Sequence, residues 1–171
     1  MKDDARLQWL WAPWRMPYLK AIHRAKKSAC FFCDYARAPR KDRPNLVLRR
    51  GRTCFIVLNR YPYNTGHLMV APVAHKADIR RLGARERAEL LDLTVVAQKT
   101  LDRALRPHGY NLGVNLGRVA GAGVPGHLHL HLVPRWNGDT NFMPVVGRTR
   151  VVPQALDDLY VHLQKAMPKS R

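Results

Sequence analysis

The sequence predicts an α+β fold, in which a mainly antiparallel sheet of about five strands carries one long helix and is followed by a C-terminal helix. Two observations indicate the sheet: short apolar segments alternate with turns rich in Gly, Pro and Asn, and the connections between these segments are short. A third observation indicates the helix, since one long segment has apolar residues at helical spacing.

Length and composition fit one domain with extensions. The 171 residues are 46% hydrophobic, which is enough for a substantial core and excludes a disordered polymer. No apolar run approaches a membrane span and the N-terminus lacks a signal-peptide core, so we expect a cytoplasmic protein that does not act at a membrane. We expect a Trp-rich arm over 1–29, a central domain over 30–142 and a C-terminal extension over 143–171.

The first half of the domain predicts three strands. A charged loop over 36–45 precedes strands over 46–48 and 53–58, which are joined at Gly51. A turn-rich segment over 59–66 then leads to a strand over 67–71.

The second half begins with the long helix, predicted over 84–106 and ended by Pro107 and Gly109. A strand over 110–115, a glycine-rich loop over 117–126, a strand over 127–133 and a short helix over 154–165 follow. The apolar positions of the long helix are Leu90, Leu93, Val96, Ala97, Leu101 and Leu105.

The segment 127–133, His-Leu-His-Leu-His-Leu-Val, carries most of the functional information. As a strand it places His127, His129 and His131 on one face and its three leucines in a core. As a helix it would turn His129 away from the other two histidines. A solvated strand face is the alternative without function; the functional interpretations are a metal site, an imidazole nucleophile, or both.

The residues around this strand resemble the histidine triad superfamily of nucleotide hydrolases and transferases. The likeness covers roughly residues 30–142 and is carried by the triad strand, by 59–72 with its Gly66-His67 turn, and by 115–117 and 134–136. Within the superfamily the chain is most similar to the bacterial diadenosine tetraphosphate phosphorylase branch, because of segments 11–16, 58–64 and 138–142.

The resemblance implies catalytic roles. It makes His129 the nucleophile that attacks the α-phosphorus, with His127 and His131 beside it and His131 facing the phosphate oxygens. It also brings His67 and Asn59 into the nucleotide pocket; a core histidine and a turn-capping asparagine are the alternatives.

The residues themselves suggest the pocket walls. Val57 shares a strand face with Asn59, and Met69 with His67, which gives apolar walls for a base and an amide for ribose hydroxyls. The resemblance places Asn115, Gly117 and Gly123 on the phosphate side. Trp136 could stack on a base, stabilise a dimer or serve only as a buried structural residue.

The 117–126 loop departs from the family pattern. The family usually places Ser, Thr or Gln there to bond the leaving group, whereas this loop has none. Backbone amides or Arg118 would have to replace that donor.

Cys30 and Cys33 have the spacing of zinc ligands, but a structural site needs two more. The resemblance supplies His75 and His127, and so implies a structural zinc held by these four residues. The alternative is a metal-free thiol pair. A redox role is not favoured because no strand–helix context of thioredoxin type follows the pair. No organic cofactor is expected.

The expected function is cleavage of a diadenosine polyphosphate, or a related adenine nucleotide, by a homodimer. A nucleoside phosphoramidate or aminoacyl-adenylate hydrolase is the first alternative, although those relatives more often carry Asp where this chain has Asn59. A hexose-1-phosphate uridylyltransferase usually has Gln at the third triad position, here His131. The net charge of +18 favours polyanions, so a non-catalytic nucleotide- or nucleic-acid-binding module is a further alternative, although no nucleic-acid motif organises the charge.

Overall fold

The structure, a computed structural model, describes residues 30–139 and 155–169. The predicted arm over 1–29 and residues 143–154 of the predicted extension lie outside the described residues. The helices are α1 (Phe31–Arg37), α2 (Ala84–Leu105) and α3 (Leu156–Ala166); the strands are β1 (Val47–Arg50), β2 (Cys54–Leu58), β3 (Leu68–Pro72), β4 (Gly109–Val114) and β5 (Leu130–Arg135).

The strands form one antiparallel sheet in the order β1-β2-β3-β5-β4. The predicted α+β fold with five strands, a long helix and a C-terminal helix is confirmed. Strands β3 and β5 are neighbours in the sheet although α2 and β4 lie between them in the sequence. This pairing places the predicted pocket residues at the start of β3 beside the histidine strand.

The main core lies between one face of the sheet and helices α2 and α3. Strands send every second residue to this face, and α2 supplies Leu90, Leu93, Ala97 and Leu101. The leucines of the histidine strand, Leu128, Leu130 and Leu132, lie in this core as predicted.

Helix α1 covers the opposite face, and it was not predicted. The sequence indicated no helix at the cysteine pair, yet Cys30 is the N-cap residue of α1 and Cys33 lies within it. Its Phe32 is fully buried. A second apolar cluster results, made by Cys30, Phe32, Val47, Phe55, Val57, Met69 and Ala71.

Strand β5 begins later than predicted, at Leu130, so His127 and His129 precede the regular ladder. Their segment is still held beside the sheet, because the Leu128 N–H donates to the Lys76 carbonyl at 2.6 Å. The alternation of side chains therefore continues through all three histidines.

Gly66 fixes the turn that leads into β3. Its φ is +79°, and a Cβ there would lie 2.6 Å from Leu105 Cδ1 and 3.0 Å from Leu101 Cδ2. Any side chain would be strained and would collide with α2. The turn consequently packs against α2 and holds His67 directly before β3.

In the parts of the chain that the structure describes, no helix has the length and apolar character needed to cross a bilayer.

Candidate active site and metal centre

The face of the sheet opposite α2 carries the predicted pocket residues in register. Val57 is paired with Met69, and Met69 with His131, so the three lie in one row across β2, β3 and β5. Val57 and Met69 are 1% and 5% exposed. Beside this row, the Asn59 N–H donates to the His67 carbonyl at 2.9 Å.

His129 has a defined proton position. Its Nδ1 lies 2.8 Å from the His127 carbonyl oxygen, and since a carbonyl only accepts, Nδ1 carries the proton. Nε2 then holds the lone pair in the neutral ring. Burial lowers the pKa of His129, although the hydrogen bond to the carbonyl opposes this effect. The ring is therefore a neutral imidazole with a nucleophilic Nε2 at pH 7.

Hydrogen bonds that begin at the turn between β2 and β3 determine which ring nitrogens of His67 and His131 carry the proton. The Tyr63 N–H donates to His67 Nδ1 at 3.1 Å, and the Asn59 amide nitrogen lies 3.2 Å from the same atom. His67 Nδ1 must therefore accept, so its proton is on Nε2 and is donated to His131 Nδ1 at 2.9 Å. His131 in turn carries its proton on Nε2, which makes that atom a donor.

The same turn also holds the His67 ring by aromatic stacking. The Tyr63 ring stacks on the His67 ring at a centroid distance of 4.7 Å and an angle of 20°. Asn59 Oδ1 also accepts from the Tyr61 N–H at 2.9 Å, so Asn59 does cap the turn. An amide has two protons and two lone pairs, and this bonding leaves capacity for a ligand hydroxyl.

His127 faces the cysteines. Its Nε2 donates to the Pro72 carbonyl at 2.7 Å, which leaves the Nδ1 lone pair directed at Cys30 Sγ, 3.3 Å away, and Cys33 Sγ, 3.5 Å away. His75 Nδ1 lies 3.2 Å from Cys33 Sγ. The ligand atoms of all four residues lie within 4.8 Å of one another, so this group could hold a metal ion.

The geometry of this group fits a tetrahedral metal. Ordinary zinc–sulfur and zinc–nitrogen bonds at tetrahedral angles separate S and N ligands by about 3.5 Å, close to the distances observed. The bond from His127 to Pro72 also orients the ring as ligating histidines require. Burial raises the pKa of the Cys30 thiol to about 11, whereas reactive redox thiols have lowered values.

Phe32 joins the metal group to the triad. Its ring centroid lies 5.1 Å from that of His127 and 5.0 Å from that of His129. His129 and His131 then meet edge to face at 4.8 Å. Sequence reasoning missed Phe32, although Phe31, Phe32 and Tyr35 at helical spacing were the available signal.

Comparison with known proteins decides the family. A family model of the HIT domain matches residues 40–138, which include every histidine of the triad. The chain belongs to the HIT family. The prediction of a histidine-triad enzyme is confirmed.

Relatives of this HIT chain include an "AP-4-A phosphorylase" of Mycobacterium tuberculosis, 42% identical over 157 residues that cover 90% of this chain and 80% of that protein. An "Adenosine 5'-monophosphoramidase hnt1" of Schizosaccharomyces pombe is 30% identical over 109 residues, 64% of this chain and 76% of that protein.

Solved structures share the HIT fold. A zinc-bound histidine triad family protein from Mycobacterium smegmatis has a TM-score of 0.65 at 23% identity, with 81% of this chain and 92% of that one covered. A hypothetical histidine triad nucleotide-binding protein from Sulfolobus tokodaii has a TM-score of 0.64 at 25% identity, with 80% and 91% covered.

The remaining predicted site residues of this HIT chain lie around β4 and β5. Asn115 directly follows β4 and is half-buried, Gly117 has a φ of +83°, and Gly123 is half-buried in the same loop. Trp136 follows β5 and is half-buried, with its backbone N–H donated to Asp139 at 3.2 Å.

A polar network that sequence reasoning missed ties the pocket turn to the end of β5. Asn64 donates to Asp139 at 3.0 Å and to the Pro134 carbonyl at 3.2 Å. Asp139 also accepts two hydrogen bonds from the Arg135 guanidinium. The partners are 70 and 75 residues apart, so no local pattern announces them.

Proposed function

We propose that the chain cleaves diadenosine tetraphosphate by phosphorolysis through a nucleotidyl-histidine on His129. One observation carries the proposal: the bond from Nδ1 to the His127 carbonyl leaves Nε2 as the unprotonated atom. The relative named AP-4-A phosphorylase supports the choice of substrate.

In the first step the Nε2 lone pair forms a bond to the α-phosphorus while the bond to the bridging oxygen breaks, and ATP leaves. The His131 Nε2–H donates to a non-bridging oxygen as negative charge develops there. In the second step a phosphate oxygen attacks the phosphorus, the N–P bond breaks, and ADP leaves with His129 restored. Water in place of phosphate would give AMP.

The pocket residues have proposed roles in the same scheme. Val57 and Met69 form the apolar wall near the base, and Asn59 binds a ribose hydroxyl while it holds His67. The backbone at Asn115, Gly117 and Gly123 approaches the phosphates, and Trp136 borders the site; His127 orients the segment of His129.

We also propose that the Cys30, Cys33, His75 and His127 group holds a structural zinc. When bound, the metal would fix α1 to the segment after β3 and to the segment before β5. Support comes from the four ligand atoms lying within 4.8 Å and from the His127 bond to Pro72. His127 would then orient the triad strand rather than transfer protons.

The deciding experiment incubates the protein with diadenosine tetraphosphate, with and without phosphate, and identifies the products. ADP plus ATP formed only with phosphate supports phosphorolysis, whereas AMP plus ATP, or two ADP, indicates hydrolysis. We expect His129→Ala to lower kcat by at least about 10³-fold, because it removes the nucleophile. An unchanged rate in His129→Ala would refute the mechanism.

A nucleoside phosphoramidate hydrolase is the second candidate, supported by the relative named adenosine 5'-monophosphoramidase. The nucleophile and donor would be the same and only the leaving group would differ. Turnover of adenosine phosphoramidate with a kcat/KM well above that for diadenosine tetraphosphate would favour it.

We further propose a cytoplasmic homodimer. The outer edge of β4 pairs with no strand among the described residues, and Leu112 on this strand is 56% exposed. Leu91 and Val95, 58% and 49% exposed, continue the α2 stripe whose Asp102 bonds Tyr110 of β4. An open edge beside an apolar patch suits a second copy of the chain. The three free cysteines suit a reducing compartment.

A further inference from the structure

A cleft of about 510 Å³ lies between the segment after β3 and the loop before β5. Its polar lining is Asp78, Arg80 and Arg81, and its other walls include Leu116, Gly117 and Pro125. None of the triad histidines lines it. Its volume is within the range of small-molecule sites.

The charged lining is positive. Arg80 is paired with Asp78 at 2.6 Å, and Asp78 also accepts from the Arg80 backbone N–H. Arg81 forms no ion pair within residues 30–139 and 155–169, although its charge helps to lower the pKa of Asp78. The exposed Arg118 directly follows Gly117. A guanidinium with open donors in a cleft is suited to phosphate oxygens.

One wall of the cleft directly follows a residue that supports the triad segment. Lys76 accepts the backbone bond from Leu128, and the lining residue Ala77 follows it directly. Pro125 is four residues before His129, so their Cα atoms are at most about 14 Å apart. A chain of phosphates held at His129 could therefore extend toward the cleft.

The composition of the 117–126 loop makes such a subsite useful. Within 117–126 the only side chain that can donate a hydrogen bond belongs to Arg118. Phosphate oxygens beyond the α-phosphate can then be bound by backbone N–H groups, by the Asn115 amide or by guanidiniums. The exposed arginines of the cleft supply guanidiniums.

We propose that this cleft is a phosphate-binding subsite centred on Arg81, with Asp78 limiting its positive charge. The inference rests on the proposed function for its role in turnover. The ligand is a phosphate oxyanion, which is either the distal part of the dinucleotide or the free phosphate that enters the second step.

The test compares Arg81→Gln with Arg103→Gln, a matched change at an exposed arginine of α2 that lies outside the cleft lining. We expect Arg81→Gln to raise the KM for diadenosine tetraphosphate or for phosphate about five- to tenfold, with kcat within about twofold. A rise for the dinucleotide identifies the distal phosphates, and a rise for phosphate identifies the acceptor. Either rise supports the subsite.

The variant Asp78→Asn should change the KM in the opposite direction. Asparagine can still accept from the Arg80 N–H and cap the turn, but it releases the Arg80 guanidinium. We expect the same KM to fall, a result that misfolding cannot mimic. AMP, which lacks distal phosphates, should inhibit wild type and Arg81→Gln equally.

Binding of inorganic tripolyphosphate, measured by calorimetry, separates the subsite from the proposed function. If no nucleotide is turned over, weaker tripolyphosphate binding in Arg81→Gln than in Arg103→Gln still supports the subsite. Unchanged binding and unchanged KM values in Arg81→Gln, or equal losses in both variants, would overturn it.

Discussion

At the residue scale, main-chain atoms hold the imidazoles of His127, His129 and His67. The His127 ring donates to the carbonyl of Pro72, the His129 ring donates to the carbonyl of His127, and the His67 ring accepts from the N–H of Tyr63. Each bond fixes which nitrogen carries the proton. Three chemically identical side chains therefore present different atoms: His127 presents an Nδ1 lone pair, His129 an Nε2 lone pair, and His131, whose proton position comes from His67, an Nε2–H.

His67→Phe tests this arrangement of protons. Phenylalanine keeps a ring beside Tyr63 but cannot donate to His131, so His131 loses its fixed tautomer. We expect kcat to fall about 10²-fold with little change in KM. The nitrogen-15 shifts of His131 should change from one tautomer to a mixture.

His162→Phe on the exposed side of α3 is the matched control and should keep wild-type kcat. A single His131 tautomer with normal kcat in His67→Phe would show that His67 is only a packing residue.

At the scale of elements, α1 and α2 each position one part of the sheet. Helix α1 places Phe32 against the rings of His127 and His129 and carries Cys33 of the metal group. Helix α2 fixes the β1–β2 turn, because Glu89 accepts from the backbone N–H groups of Arg52, Thr53 and Cys54.

Removing the metal should therefore disturb α1. We expect one zinc per chain by elemental analysis, and none in Cys33→Ser. A chelator should lower the Tm of wild type by about 10 °C, as expected for loss of a tightly bound ligand from a domain of this size. Cys54→Ala, which changes a buried cysteine outside the group, should retain its zinc. Zinc retained in Cys33→Ser would contradict the ligand assignment.

Glu89 should make stability depend on pH. Burial pushes the pKa of this carboxyl up, but the hydrogen bonds from Thr53, Arg52 and Cys54 outweigh it and hold the pKa below its ordinary value of 4.5. The carboxylate therefore stabilises the fold above pH 4.5 and loses this effect as the pH falls through the lowered pKa.

The matched variant is Glu89→Gln. Its free energy of unfolding at pH 7 should be lower than that of wild type by about 2 kcal/mol, since hydrogen bonds to a charged acceptor are lost. In urea titrations the difference between the two proteins should shrink below pH 4.5. A difference that is constant with pH would mean that the charge of Glu89 contributes nothing.

At the scale of the whole molecule, the β4 edge of the sheet pairs with no other strand among residues 30–139 and 155–169. Leu112 of β4 is exposed, and so are Leu91 and Val95, which share by helical spacing the face of α2 from which Asp102 contacts Tyr110 of β4. A second copy could extend the sheet and cover this patch at the same time.

Leu112→Arg tests the dimer. A charge at Leu112 should convert the protein from a dimer to a monomer in light scattering, while Val119→Arg, at an exposed loop residue outside β4 and α2, should not. Circular dichroism would verify that both variants are folded. A wild-type monomer, or a Leu112→Arg dimer, would exclude this surface.

Sequence reasoning predicted those parts of the molecule that have a local signal. Alternation located the strands and the core leucines of 128–132, and helical spacing located α2. Helix α1 has only seven residues, and its stability comes from Phe32 packing on a distant sheet. The bond from Asn64 to Asp139 likewise depends on the completed fold.

The hydrogen bonds that the Pro72 and His127 carbonyls accept have a consequence for engineering. Because main-chain carbonyls hold the His127 and His129 rings, substitutions of Val57 and Met69 should leave these two orientations largely intact. A laboratory selection for altered substrates should therefore accumulate changes at the pocket walls and the arginine cleft while bond-making at His129 persists. The scaffold suits retargeting by mutation of its lining alone.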